Sequence, residues 1–187
     1  MKQLLITGFD PFGGEPVNPA WEAVKCLPDT VGEYALTKLQ IPTVYSRAAE
    51  TVFDAVSAMP TAPDVILCIG QAGGRAAVTP EFVAINYRRA SIADNAGTLI
   101  SESPILADAP AAYFATVPVQ RMTAAIADAG IRAQTSYSAG TFVCNDVLYT
   151  LLHRFADTKT KVGFIHVPFL PEQAKSETTP TMPLCDI

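Results

Sequence analysis

The chain has 187 residues, of which 49% are apolar and 17% are charged. This composition excludes a disordered chain, and the length favours a single domain, residues 1–187, that buries a core of its own. A formal net charge of −5 argues against nucleic acid as a partner, and no apolar stretch reaches the roughly 18 residues that a membrane-spanning helix needs.

Apolar strand-like runs alternate along the chain with patterns of helical period. The first run, residues 2–7, is too short for the core of a signal peptide, so it predicts a first strand and a cytoplasmic protein. The remaining pattern predicts strands at 34–41, 65–69, 78–85, 133–138 and 162–167, helices at 19–26, 44–58, 118–129 and 145–155, and a long loop at 88–112. The alternation predicts a single-domain α/β fold of three layers, α/β/α, around a mainly parallel twisted sheet.

The four cysteines form no CxxC pair and no zinc-binding pattern, so free thiols are expected at Cys26, Cys68, Cys144 and Cys185. Cys144 lies in a segment of small residues between a predicted strand and a predicted helix. A thiol at a helix N-terminus meets the positive end of the helix dipole, which favours the thiolate. Cys144 is therefore the candidate nucleophile, with an inert packing role as the alternative.

A cysteine nucleophile needs a base, and the chain has two histidines. His153 would lie on the far face of the same helix as Cys144 and roughly 13 Å further along it, out of reach. His166 ends the strand that follows this helix, and one strand–helix–strand crossover would bring it near Cys144. A carboxylate should orient the imidazole, and three acidic residues are candidates that spacing alone does not separate: Glu81, Asp94 and Asp146.

Two glycine-bearing loops follow predicted strands, at residues 8–14 and 70–75. Neither matches a phosphate-binding motif, so a nucleotide-binding function is disfavoured. Phe9 and Phe12 are expected to form an apolar slot, and backbone amides near Gln71 are candidate oxyanion donors. Ordinary turn chemistry is the alternative for both loops.

Four segments together resemble, in order, the signatures of the pyroglutamyl peptidase I (pyrrolidone-carboxylate peptidase) family. They are residues 5–14 (LITGFDPFGG), 70–86 (GQAGGR followed by TPE and VAIN), 138–145 (SAGTFVCN) and 164–171 (FIHVPFLP). The resemblance implies a cysteine exopeptidase that removes an N-terminal pyroglutamyl residue from peptides through a thioester. It also implies that the enzyme needs no metal or cofactor and acts as a homo-oligomer such as a tetramer.

Carried over position by position, the resemblance makes Cys144 the nucleophile, His166 the base and Glu81 the orienting acid. The implied substrate-binding residues are Phe9, Phe12, Gln71, Ile92, Phe142 and Val143. A pyroglutamyl ring is small, flat and uncharged, so an aromatic slot with a few amide hydrogen bonds suits it.

The chain departs from the family pattern at two places. Ser91 and Ala93 stand where the family usually has Arg and Pro, and Arg88 or Arg89 is a candidate to replace the missing cation. Family members usually continue past residues 184–187 into a final helix, so an uncovered apolar surface is expected here. A catalytically impaired, pyroglutamate-binding homologue of the same fold is therefore the alternative function.

Overall fold

The computed structural model describes all residues, 1–187, and contains a six-stranded sheet, a two-stranded sheet and four α-helices. The strands are β1 (Lys2–Phe9), β2 (Thr30–Val31), β3 (Tyr34–Ile41), β4 (Val65–Gln71), β5 (Thr79–Pro80), β6 (Val83–Ile85), β7 (Ala112–Phe114) and β8 (Lys161–Val167). The helices are α1 (Pro19–Cys26), α2 (Arg47–Ala58), α3 (Val119–Asp128) and α4 (Val143–Arg154), with 3₁₀ turns at Pro171–Gln173 and Leu184–Asp186.

The main sheet has the strand order β2-β3-β1-β4-β8-β5. Its central strands β3, β1, β4 and β8 are parallel, and the two-residue strands β2 and β5 pair antiparallel at the edges. Continuous apolar runs form the central strands because helices cover both of their faces. The predicted α/β fold with a mainly parallel sheet is confirmed.

Side chains alternate between the two faces of the sheet. Leu5, Ile66 and Phe164 belong to the larger core, which α2 and α4 complete, whereas Ile6 and Ile69 pack with α1 on the opposite face. The arrangement has the three predicted layers. Its helices have at most 12 residues, and none is long and apolar enough to span a bilayer.

Two helices begin two or three residues away from their predicted starts. Helix α2 starts at Arg47, not at residue 44, because Ser46 has a positive φ of 61° that interrupts the helical backbone. Helix α4 starts at Val143, two residues early, so Cys144 lies within its first turn. By contrast, α1 spans Pro19–Cys26 as predicted, with Pro19 in the first turn and the Asn18 side chain accepting the N–H of Ala20 at 3.1 Å.

The predicted strand at 133–138 is wrong, and the predicted strand at 78–85 is broken. Residues 133–138 make only isolated bridges, Val78 to Ala133 and Glu81 to Ser136. The neighbouring strand β5 has two residues, and Pro80 has no N–H to donate, so a continuous ladder cannot extend along this edge. Strand β6 turns away to pair with β7.

An apolar groove of about 610 Å³ lies on the α1 face of the sheet. Val24 of α1, Ile126 of α3 and Ile165 of β8 line it, and the last residues of the chain, including Ile187, form one wall. The groove is lined almost entirely by apolar side chains.

Candidate active site

The site lies at the carboxyl end of the central strands, where such folds bind ligands. Phe164 of β8 packs into the core beneath α4, so His166, two residues further, points to the same face. In the neighbouring strand β4, Gly70 pairs with His166. Cys144 is the second residue of α4. The nucleophile and base predicted from the sequence thus come together from a helix N-terminus and a strand end.

Gly70 provides the space for the Cys144 thiol. A Cβ atom at this position would lie 3.1 Å from Cys144 Sγ and 2.6 Å from Cζ of Phe164. Paired residues of neighbouring strands are only about 4.8 Å apart. The sulfur and His166 are therefore both neighbours of Gly70.

Glu81 is the carboxylate that contacts the imidazole. Its Oε1 lies 2.6 Å from Nδ1 of His166, and the Glu81 side chain is 0% exposed. The two rival carboxylates have other partners. Asp94 accepts the backbone N–H groups of residues 45, 96 and 98, and Asp146 pairs with Arg88. The geometry thus separates three acids that spacing alone did not.

Burial controls the protonation of the cysteine and the histidine. It raises the pKa of the Cys144 thiol to about 12, and the negative charge of Glu81 adds to the rise. Burial also lowers the pKa of His166 from its usual 6.5, although the hydrogen bond and the charge of Glu81 act in the opposite direction. This desolvation opposes the helix dipole, which was expected to favour a thiolate at Cys144. At neutral pH the pair is a thiol and a neutral imidazole.

Arg75 is a part of the site that the sequence analysis missed. Its Nη1 lies 2.6 Å from Oε1 of Glu81, the same oxygen that contacts His166. Its Nη2 donates to the carbonyl oxygen of Ser138 at 2.9 Å. The sequence signal was a cation in a glycine loop, six residues before a carboxylate inside an apolar stretch.

Aromatic side chains cluster beside Cys144. The ring of Phe142 lies 6.0 Å from that of Phe12 and 5.4 Å, edge-on, from that of Tyr45. Phe142 also lines an open cleft of about 550 Å³ with Ile92, which is 48% exposed. These three predicted substrate-binding residues, Phe12, Ile92 and Phe142, therefore lie together on one accessible surface.

Three other predicted substrate-binding residues are buried. Phe9 is 2% exposed and packs on Phe164, with ring centroids 6.2 Å apart, and Val143 is 0% exposed within the larger core. Both side chains lie in the core instead of presenting a surface to a ligand. Gln71 is also buried, and its Oε1 accepts the Nε2 hydrogen of Gln173 at 2.9 Å.

The backbone of α4 offers unused hydrogen-bond donors next to the thiol. The first intrahelical bond joins the N–H of Asp146 to the carbonyl of Phe142. The preceding N–H groups, of Val143, Cys144 and Asn145, have no acceptor in the protein. A helix N-terminus with free N–H groups can bind an oxyanion.

Comparison with known proteins places this chain in a family. A sequence model described as pyroglutamyl peptidase matches residues 2–187. The chain belongs to the pyroglutamyl peptidase family. It is 48% identical over 179 residues to the pyrrolidone-carboxylate peptidase of Bacillus thuringiensis (strain Al Hakam), a match that covers 94% of this chain and 82% of that protein.

Solved structures of the pyroglutamyl peptidase family have the same fold. The crystal structure of Bacillus amyloliquefaciens pyroglutamyl peptidase I matches with a TM-score of 0.95 at 43% identity, covering 100% of this chain and 91% of that one. A mutant pyrrolidone carboxyl peptidase from Pyrococcus furiosus matches with a TM-score of 0.92 at 35% identity, covering 98% and 91%.

The two substitutions relative to the pattern of the pyroglutamyl peptidase family, Ser91 and Ala93, lie in one loop. Ser91 lines the cleft beside Phe142 and Ile92. Of the two candidate cations, Arg88 is held by Asp146, with Nε 2.5 Å from Oδ1, whereas the exposed Arg89 lines the cleft. Asp94 anchors the loop despite Ala93, through hydrogen bonds to three backbone N–H groups.

The remaining histidine and cysteines lie apart from this constellation. Nδ1 of His153 contacts the hydroxyl of Tyr113 at 2.8 Å near the end of α4. Cys68 is buried in β4, and burial raises its pKa to about 12. Cys26 and Cys185 are exposed and line the apolar groove on the opposite face of the sheet.

Proposed function

We propose that this protein is a cysteine exopeptidase that removes an N-terminal pyroglutamyl residue from peptides, with Cys144 as nucleophile, His166 as base and Glu81 as orienting acid. The observation that carries the proposal is the placement of His166. Its Nδ1 contacts the buried Glu81 carboxylate, and its strand partner Gly70 lies against the Cys144 sulfur. Family membership supplies the substrate class.

The first chemical step is attack by sulfur on the pyroglutamyl carbonyl. Because the resting pair is neutral, Cys144 transfers its proton to Nε2 of His166 as the carbon–sulfur bond forms. Glu81 accepts the Nδ1–H of the resulting imidazolium and stabilises its charge. The free N–H groups at the start of α4 stabilise the oxyanion of the tetrahedral intermediate.

The second step breaks the peptide bond. His166 donates its proton to the leaving amine as the tetrahedral intermediate collapses to a thioester on Cys144. The neutral imidazole then takes a proton from a water molecule that attacks the thioester, and pyroglutamate is released with the thiol restored. Each proton that His166 accepts is returned within the cycle, and the family resemblance implies that no metal or cofactor takes part.

Recognition of the ring follows from the surface beside Cys144. Phe12, Phe142 and Ile92 offer an apolar, partly aromatic wall for a flat ring, and no carboxylate lines the cleft to attract an ammonium group. Gln71 is buried and its side-chain oxygen accepts from Gln173, so the family resemblance alone assigns it to the pocket. Phe9 and Val143 act behind this wall, by fixing the core on which it rests.

We also propose that the protein acts in the cytoplasm as a homo-oligomer. The family resemblance and the exposed apolar groove support self-association. Sedimentation velocity tests it, since an oligomer sediments faster than a 19.9 kDa monomer and a monomer at micromolar concentration would contradict it.

Hydrolysis of a fluorogenic pyroglutamyl amide tests the proposed function. We expect turnover that iodoacetamide abolishes, that C144A lacks, and that C26A retains because Cys26 lies on the opposite face of the sheet. Tight binding of pyroglutamate without turnover, in a folded protein, would instead support the impaired homologue. No observation in the site favours that alternative, since the contact between His166 and Glu81 is in place.

A further inference from the structure

Arg75 joins the two halves of the proposed catalytic site. It follows a turn at Gly73 and Gly74, where Gly74 has a φ of 87° that favours glycine. From this turn its guanidinium reaches three acceptors: Oε1 of Glu81 at 2.6 Å, Oγ1 of Thr79 at 2.5 Å and the carbonyl oxygen of Ser138 at 2.9 Å.

The first role of these contacts is to balance the charge of Glu81. The carboxylate is 0% exposed, and its Oε2 has no hydrogen-bond partner. Both polar contacts of the side chain, to Arg75 and to His166, are made by Oε1. Because the imidazole is neutral at rest, Arg75 is the one full positive charge in contact with this buried carboxylate.

The second role is mechanical. Ser138 begins the turn of small residues that leads into α4, and Cys144 lies in the first turn of that helix. The two nitrogens Nη1 and Nη2 therefore tie the acid to the segment that presents the nucleophile. A planar guanidinium can span two acceptors in this way, whereas a lysine ammonium is a point charge on a flexible stem.

We propose that Arg75 is a positioning residue of the proposed catalytic triad, whose guanidinium fixes Glu81 against His166 and ties that acid to the Ser138 turn before Cys144. The inference rests on the proposed function. Arg75 does not contact the reacting atoms in this proposal. It acts through Glu81 on the orientation of the imidazole, and through Ser138 on the position of the thiol.

The charge of Arg75 gives the proposal a signature that a purely structural residue would lack. Its positive charge lowers the pKa of both Cys144 and His166. Removing the charge should therefore raise both values. The acid limb of the pH profile of kcat/KM should move to higher pH, and alkylation of Cys144 at a fixed pH should become slower.

The test compares R75M and R75K with wild type and with R121M, which removes an exposed arginine of α3. Steady-state hydrolysis of a pyroglutamyl amide across pH gives kcat and KM, iodoacetamide gives the alkylation rate, and circular dichroism checks folding. For R75M we expect kcat to fall on the order of 100-fold with KM within about 3-fold of wild type, as for partial loss of general-base catalysis. R75K should recover part of kcat, and R121M should match wild type.

Each outcome decides the proposal. A folded R75M with wild-type kcat would overturn it, and so would a loss of kcat without a shift of the acid limb or of the alkylation rate. If R75M does not fold, R75K provides the test. An R75K variant with the kcat and the pH profile of wild type would overturn the proposal, because it would show that a guanidinium spanning two acceptors is not needed. An inactive wild-type protein would instead count against the proposed function.

Discussion

Nδ1 of His166 lies 2.6 Å from Oε1 of Glu81, and both side chains are buried. This contact fixes the tautomer, because an ionised carboxylate can only accept, so Nδ1 carries the hydrogen and Nε2 is left free to take a proton. Burial of the imidazole then keeps it neutral at rest.

Replacing Glu81 by Gln should remove most of the activity. The amide cannot stabilise an imidazolium, and it can present its N–H₂ group to Nδ1 and so favour the wrong tautomer. We expect kcat for a pyroglutamyl amide to fall on the order of 1,000-fold with little change in KM. E102Q is the matched control, since Glu102 is exposed and contacts Tyr87, and it should keep its activity. A kcat for E81Q within tenfold of wild type would remove Glu81 from the triad.

The pH dependence of kcat/KM should have its acid limb below pH 6.5. His166 must be neutral to accept the proton of Cys144. In the free enzyme, burial lowers the pKa of His166 below its ordinary value of 6.5. Activity should therefore hold as the pH falls to 6.5 and be lost below that value. An acid limb centred above pH 6.5 would mean that the protein stabilises the imidazolium of His166. It would contradict a resting enzyme with a neutral Cys144 thiol and a neutral His166 imidazole.

Gly70→Ala should disable the site by overpacking. The new methyl group would lie 2.6 Å from Cζ of Phe164 and 3.1 Å from the Cys144 sulfur, so one of them must move. We expect a loss of about 1–3 kcal/mol in the free energy of unfolding and a fall in kcat on the order of 100-fold.

Gly163→Ala is the matched control for this substitution. Its methyl group would lie 2.4 Å from Val117 Cγ2, away from the site, so it should lower stability without lowering kcat of the folded enzyme. Equal loss of kcat in both variants would show that the effect is one of stability alone.

Asp146→Asn should destabilise the fold. The Asp146 side chain is 0% exposed and pairs with Arg88, whose side chain is only 15% exposed. In the variant, Arg88 would keep its charge without a carboxylate partner. Loss of one partner of such a pair costs about 3–5 kcal/mol, and the double variant R88M/D146L should lose less than D146N. Urea denaturation measures both. E50Q breaks the exposed pair of Arg47 with Glu50 and should lower the free energy of unfolding by no more than about 1 kcal/mol. An equally small loss in D146N would contradict the prediction.

Tyr45→Phe should leave the stability unchanged or raise it slightly. The Tyr45 hydroxyl is buried and has no hydrogen-bond partner, so its removal relieves a desolvation penalty. Tyr149→Phe is the contrast, because the Tyr149 hydroxyl donates to the carbonyl of Pro110 at 2.5 Å, and its loss should cost about 1 kcal/mol. Thermal unfolding of the two variants compares them directly. A larger loss in Tyr45→Phe than in Tyr149→Phe would show that the Tyr45 hydroxyl is satisfied.

The sequence predicted the central strands and three of the four helices closely because each carries a long, unambiguous pattern. It failed at the sheet edge, where residues 133–138 include the strand-favouring Thr135 and Tyr137 but their neighbour β5 ends after Pro80. It also began α2 too early, because no local signal marks the positive φ of Ser46. Such features depend on tertiary partners, among them the hydrogen bond from Ser46 N to Asp146.

The candidate site was predicted to a similar extent. Cys144 and His166 were expected at a helix N-terminus and at a strand end, positions that topology alone brings together. Glu81 was one of three candidate acids, and only the family resemblance selected it. Arg75 was missed because its partners, Glu81 and Ser138, are joined only when the glycine loop folds back on the sheet. The opposing effect of desolvation on the pKa of the Cys144 thiol was also missed, since a helix dipole can be inferred from sequence whereas the surroundings of the thiol cannot.

The most direct test of the central claim is to trap the thioester. Wild-type enzyme mixed with a pyroglutamyl amide, quenched in acid within the first turnovers and digested, is analysed by mass spectrometry of the cysteine-bearing peptides. We predict that the peptide containing Cys144 gains the mass of one pyroglutamyl group, and that C144A shows no such adduct. Turnover with acylation at another cysteine, or with a C144A variant that still hydrolyses the substrate, would contradict the assignment of Cys144 as the nucleophile.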